Sequence, residues 1–132
     1  MRAELTIEIA KTPDEVFAYL TDVANVPEWQ SGVRSSEMKG DRIEETRSFL
    51  GREMHTTLEI LESDAPRVFT LKAVNGPVRF TVKHELEPVG SGTRLTVVAE
   101  GDVPGFASGI VAQQAKRQFS KDFKRLKEIL ER

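Results

Sequence analysis

The chain has no cysteine, which removes disulfides, thiolate nucleophiles and thiolate metal sites together. Histidine is scarce too, with only His55 and His84 in 132 residues. The two fall on different phases of their strands, without carboxylates at ligand spacing, so no metal centre is expected. No cofactor is expected either, since the chain lacks a glycine-rich phosphate loop, a Gly-x-Ser-x-Gly elbow and a His-Glu-x-x-His pair. Charge of one sign is also missing. Nineteen Lys and Arg against 21 Asp and Glu give a formal net charge of -2, which argues against a nucleic-acid partner. No long apolar run occurs, so neither a membrane span nor a signal peptide is expected, and a cytoplasmic location fits.

What is present suits a single domain over 1–132, with 39% hydrophobic and 30% charged residues. The tail, from about Gly105 to Arg132, carries sustained helical periodicity. Ala112, Ala115, Phe119, Phe123, Leu126 and Leu130 recur at three- and four-residue steps, stacking on one face of a helix roughly 40 Å long. Its many lysines and arginines read as the solvated face of that helix, because the apolar face is needed elsewhere.

The rest reads mostly as strand. Leu5, Ile7 and Ile9 alternate with polar residues, the mark of a strand with one buried face. Thr12-Pro13-Asp14-Glu15 is a capping box with proline at the first helical position. The helix it starts buries Val16, Phe17, Leu20 and Val23 and is expected to end near Asn25, because Pro27 disfavours helix at Val26. Pro27-Glu28-Trp29 then forms a second short helical turn. Six strands follow, over about 33–39, 42–50, 53–62, 67–74, 78–87 and 93–100. Among their turns, Asn75-Gly76 gives the strongest two-residue hairpin signal. Short connections make neighbouring strands antiparallel. The order strand, two helices, six strands, long helix is an α+β pattern, a seven-stranded sheet curled around its terminal helix.

The N-terminal strand, Thr12-Pro13-Asp14-Glu15-Val16-Phe17, Asp22, Pro27-Glu28-Trp29, Val33, the hairpin series and the amphipathic tail together resemble the START-like, helix-grip superfamily. The similarity is greatest to its polyketide cyclase/dehydrase and lipid-transport branch and spans essentially the whole chain. It implies a strand order of 2-3-4-5-6-7-1, two short helices closing one end, and an apolar cavity between sheet and last helix. No fixed motif of that superfamily assigns catalytic residues by position.

Several residues stand out as site candidates. His84 falls inward with Phe80, Val82 and Leu86, opposite Leu95 or Val97, as a ligand contact, a general base or a core histidine bonded to backbone. His55 falls outward. Ile43 and Phe49 fix an inward phase that takes Glu45 and Arg47 with them. The two would form either the polar end of a cavity or an ion pair. Ser35 and Glu37, in phase with Val33, would extend this strip. Trp29 and Tyr19, on the helical end cap, each offer a flat apolar surface and one hydrogen bond. Thr56, Phe69 and Phe80 add to the wall. Ile110 and Gln114, with Phe106 and Arg117, form a second stripe on the tail.

Three readings follow. The favoured one is binding or transport of a hydrophobic small molecule, whether lipid, isoprenoid or polyketide-like. The alternative is a polyketide cyclase or dehydratase in which His84 or Glu45 moves protons and Arg47 polarises a carbonyl. The third is an interaction domain with a filled interior. A hollow of roughly 300 Å3 or more separates the last from the others. The partner of His84 separates the first two. Monomer and homodimer both remain open.

Overall fold

The computed structural model describes residues 2–49, 51–76, 78–101 and 109–132. Gly105, Phe106 and the side chain of Phe49 lie outside the described residues.

The alternation of Leu5, Ile7 and Ile9 builds β1 (Arg2–Ile9), and the capping box starts α1 (Pro13–Thr21). There the Glu15 N–H donates to Thr12 Oγ1 at 3.3 Å, while the Thr12 hydroxyl donates to the Glu15 carboxylate at 3.1 Å. The helix ends earlier than the sequence predicts. Asp22 accepts from Ala24 N–H at 3.3 Å and caps a 3-10 turn, Val23–Asn25, that runs straight into α2 (Val26–Trp29). Val26 is fully helical at φ -54°, ψ -44°, against the expectation set by Pro27. The hydrogen bond from its N–H to Val23 and its burial beside Val23, Val33 and Ile43 outweigh the local preference.

The remaining strands are β2 (Val33–Lys39), β3 (Arg42–Phe49), β4 (Arg52–Asp64), β5 (Val68–Asn75), β6 (Phe80–Val89) and β7 (Gly92–Gly101). They form one antiparallel sheet in the order β1-β7-β6-β5-β4-β3-β2, which is the helix-grip order the resemblance implies. Two details differ from the sequence reading. β4 continues to Asp64, and the connection after Asn75 exceeds two residues, because β6 begins at Phe80 and not at Val78. Gly76 sits at φ 134°, where its bare backbone passes Thr56.

The last helix, α3 (Ile110–Leu130), lays Phe123 and Leu126 into a core shared with Ile9, Val16, Phe17, Leu20, Trp29, Leu95 and Val97. Its C-terminal half is pinned by side chains. Lys127 Nζ donates to Glu8 O and Ala10 N–H to Glu131, both at 2.8 Å. Asp122 accepts from Ser31 N–H at 3.3 Å and from Gln118 at 2.7 Å. Among the described residues, no side-chain hydrogen bond or ion pair fastens the first two turns.

Candidate functional site

Strand alternation puts His84 on the inner face of β6, directly opposite Val97 on β7 and Phe69 on β5. It is buried, and its Nδ1–H donates to the Phe69 carbonyl at 2.8 Å. Burial drives its basicity down to about 4, with the Phe69 bond pulling weakly the other way. The ring is therefore neutral near pH 7, with Nε2 carrying the lone pair. The Phe69 and Phe123 rings lie 5.8 and 5.9 Å from it, and Trp29 packs on Phe123 at 4.9 Å. α2 supplies Trp29, β5 and β6 supply Phe69 and His84, and α3 supplies Phe123, so four distant segments meet in one aromatic cluster.

The depressed basicity has a testable consequence. An unfolded histidine titrates near 6.5, so in acid the unfolded chain takes up this proton before the folded one does. The stability contributed by the neutral, buried ring is complete above pH 6.5. It is lost as pH falls toward 4, by about 3 kcal/mol in total. His84→Phe removes this component, so over that window wild type should lose about 3 kcal/mol relative to the variant in urea unfolding. A difference that stays constant with pH would contradict the assignment.

Glu45 is the other buried ionisable group on the inner face, 2% exposed, and Arg47 holds it at 2.8 Å. The Arg47 guanidinium also donates to Gln30 Oε1 at 3.3 Å and lies 5.4 Å from the centre of the Phe80 ring. β3 and β6 thus touch although β4 and β5 separate them in the sheet, which measures how far the sheet curls. Ser36 donates to Glu45 at 3.4 Å, where Ser35 and Glu37 were expected. A register shift between Val33 and Ser35 flips the phase of β2, so Ser35 and Glu37 point to solvent. Among the described residues, no hydrogen bond or ion pair joins His84 to Glu45 or Arg47.

Tyr19 is half-buried and donates to Glu28 at 2.8 Å. Burial first, and then that carboxylate, push its hydroxyl up to about 12. Thr56 is buried opposite Glu45. Outside, His55 is exposed and bonded to Glu44 at 2.9 Å. Two candidates move away from the interior. Ile110 is 77% exposed and Gln114 is exposed, as is Arg117. The stripe from Ala112 to Leu130 turns toward the sheet, which rotates the neighbouring stripe into water.

Sequence reasoning missed the row between these two polar points. Ile60, Leu71, Val82, Ala99 and Ala3 oppose one another in turn across β4, β5, β6, β7 and β1. All five are only half-buried, although the rows beside them, with Leu58 and Ala73 on one side and Phe69, His84 and Val97 on the other, are buried. Their opposition was readable only once the bulge positions were known. Hollows flank this row. One of about 350 Å3, where β5 and β6 part, is walled by Ala73, Phe80 and Gly101 together with the charged Lys72, Arg79 and Glu100. Another of about 230 Å3 lies between β1 and α3, walled by Ala3, Leu5 and Phe119 together with the charged Arg2, Glu4 and Lys116. His84, Glu45 and Arg47 line neither, which departs from the expected common cavity.

Among the described residues, no cluster of three metal-ligating side chains is found, and no helix is long and apolar enough to cross a membrane. Among solved structures, the chain is similar to a conserved protein from Geobacillus kaustophilus, with 21% identity and a TM-score of 0.86 over 98% of this chain and 95% of the other. A START superfamily protein from Mycobacterium smegmatis matches at 15% identity and TM-score 0.78, over 98% of each chain. Ara h 8.0201 matches at 15% identity and TM-score 0.71, over 98% of this chain and 97% of that one. No curated protein matches the sequence. The family model for polyketide cyclase / dehydrase and lipid transport covers residues 1–131, and the chain belongs to that family.

Proposed function

We propose that the chain binds a hydrophobic small molecule (lipid, isoprenoid or polyketide-like) between the inner face of its sheet and the N-terminal half of α3. The half-exposed row from Ile60 to Ala3 carries this reading. Inward apolar groups that are only partly buried among the described residues, with hollows beside their row, favour an apolar guest. Phe80, Phe69, Thr56, Trp29 and His84 border it, with Tyr19 at the capped end.

The polar groups favour binding over turnover. A general base needs an accessible lone pair and a basicity near the working pH. His84 keeps its Nε2 lone pair but is too weakly basic near neutral pH, and Glu45 is committed to Arg47. Cyclase or dehydratase chemistry remains the second reading, because Arg47 lies over Phe80, which also walls the larger hollow.

Native mass spectrometry of protein purified from its own host, followed by organic extraction, tests the proposal. A stoichiometric apolar compound is expected to co-purify. Protein that arrives empty and binds no member of a panel of fatty alcohols, isoprenoids and aromatic polyketides would rule it out.

A further inference from the structure

The indole N–H of Trp29 is, among the described residues, the one buried side-chain polar atom without a hydrogen-bond partner. Folded proteins rarely leave such a donor unmet. A phenylalanine would fill the same place against Phe123 without that donor, so the nitrogen needs a reason.

His84 offers the complement. Its Nδ1–H is committed to Phe69 O, and its Nε2 lone pair meets no donor among the described residues. Both rings pack on Phe123, at 4.9 and 5.9 Å between centres. Each residue is at least nine-tenths buried, Trp29 at 3% and His84 at 4% exposure. An unmet donor and an unmet acceptor therefore share one aromatic wall, completed by Phe17 and Phe69.

The chemistry of this pair narrows the guest. A carboxylate would face a neutral imidazole lone pair with no cation on either ring, and an ammonium group would find no carboxylate there. Burying either charge unpaired is strongly unfavourable. A hydroxyl group both accepts and donates, so it meets both needs with no net charge. The indole nitrogen is enclosed, so an oxygen reaches it only through a local rearrangement of its surroundings.

We propose that Trp29 and His84 select an uncharged, hydroxylated guest within the apolar site, the hydroxyl oxygen accepting from the Trp29 indole N–H and a hydroxyl hydrogen going to His84 Nε2. This rests on the apolar-binding reading above and adds the polar group that the guest carries.

Trp29 is the sole tryptophan, so its indole gives a single N–H resonance. Nitrogen-15-labelled protein is titrated with dodecanol and, separately, with dodecyl methyl ether, which accepts a hydrogen bond but cannot donate one. Dodecanol is expected to bind roughly fivefold to tenfold more tightly, in line with one added buried hydrogen bond. It should shift both the Trp29 indole signal and the His84 Nε2 signal, whereas the ether shifts the indole alone. His84→Phe should bring the two affinities together, because the acceptor that distinguishes the alcohol from the ether is gone. Trp29→Phe should weaken both ligands, which keeps the test open if the first variant fails to fold. Equal affinities with both ring signals unmoved, as when a tightly held water satisfies the pair, would overturn the hydroxyl selection and leave apolar binding standing. Failure of both ligands to bind the folded protein would overturn the apolar-binding reading and this inference with it.

Discussion

Phe123→Ala should remove about 3–5 kcal/mol of stability, at the upper end for a single truncation in a core of this kind. The ring is 4% exposed and touches Trp29, Phe119 and His84 at centre distances of 4.9, 5.2 and 5.9 Å. It closes the contact between α3 and the capped end of the sheet. Removing it leaves a void that these aromatic neighbours fill poorly, because Trp29 and His84 are held by two other elements, α2 and β6. The measurement is urea unfolding followed through Trp29 emission, which also reports the polarity around the indole. A loss below about 1 kcal/mol would mean that the surrounding rings collapse into the space and that the cluster is softer than its geometry implies.

The second large effect concerns Glu45. Arg47→Met should cost about 3 kcal/mol, because it leaves a carboxylate at 2% exposure with, among the described residues, only Ser36 as a partner. The figure sits at the low end for a broken buried pair, since 27% of the Arg47 side chain is open to water that already screens the interaction. The double replacement Glu45→Leu with Arg47→Met should recover most of the loss, because an apolar pair of similar volume needs no countercharge. Thermal unfolding of the three variants checks this. If the double variant is no more stable than Arg47→Met alone, the penalty comes from the lost contacts of Arg47 with Phe80 and Gln30 and not from a stranded charge.

These residues also mark what the sequence made legible. His84, Glu45 and Arg47 were placed inward by alternation alone, because a strand has a period of two and their neighbours Val82, Leu86 and Ile43 are unmistakably apolar. The same rule misplaced Ser35 and Glu37. It holds only while the register is unbroken, and one shifted residue near the start of β2 exchanged the faces. On α3, the periodicity identified the stripe that faces the sheet but also promoted Ile110 and Gln114, because the rule gives an orientation and not the width of the covered face. The convergence of Trp29, Phe69, His84 and Phe123 was beyond any local reading. Alternation and helical period state which side a residue takes, while its neighbours depend on how far the sheet curls. That curl shows only in contacts such as Arg47 over Phe80.

The uneven fastening of α3 sets how the molecule yields. A beam clamped at one end swings most at the other, and among the described residues the clamp is built from Lys127, Glu131, Asp122 and Gln118, far from Ile110. The energy for a small opening is then set by the few apolar contacts near the tip, not by the whole helix. On the proposed reading, admission of a guest and integrity of the fold become separate quantities, so evolution can tune one through Ala112, Ala115 and Phe119 while holding the other through the clamp.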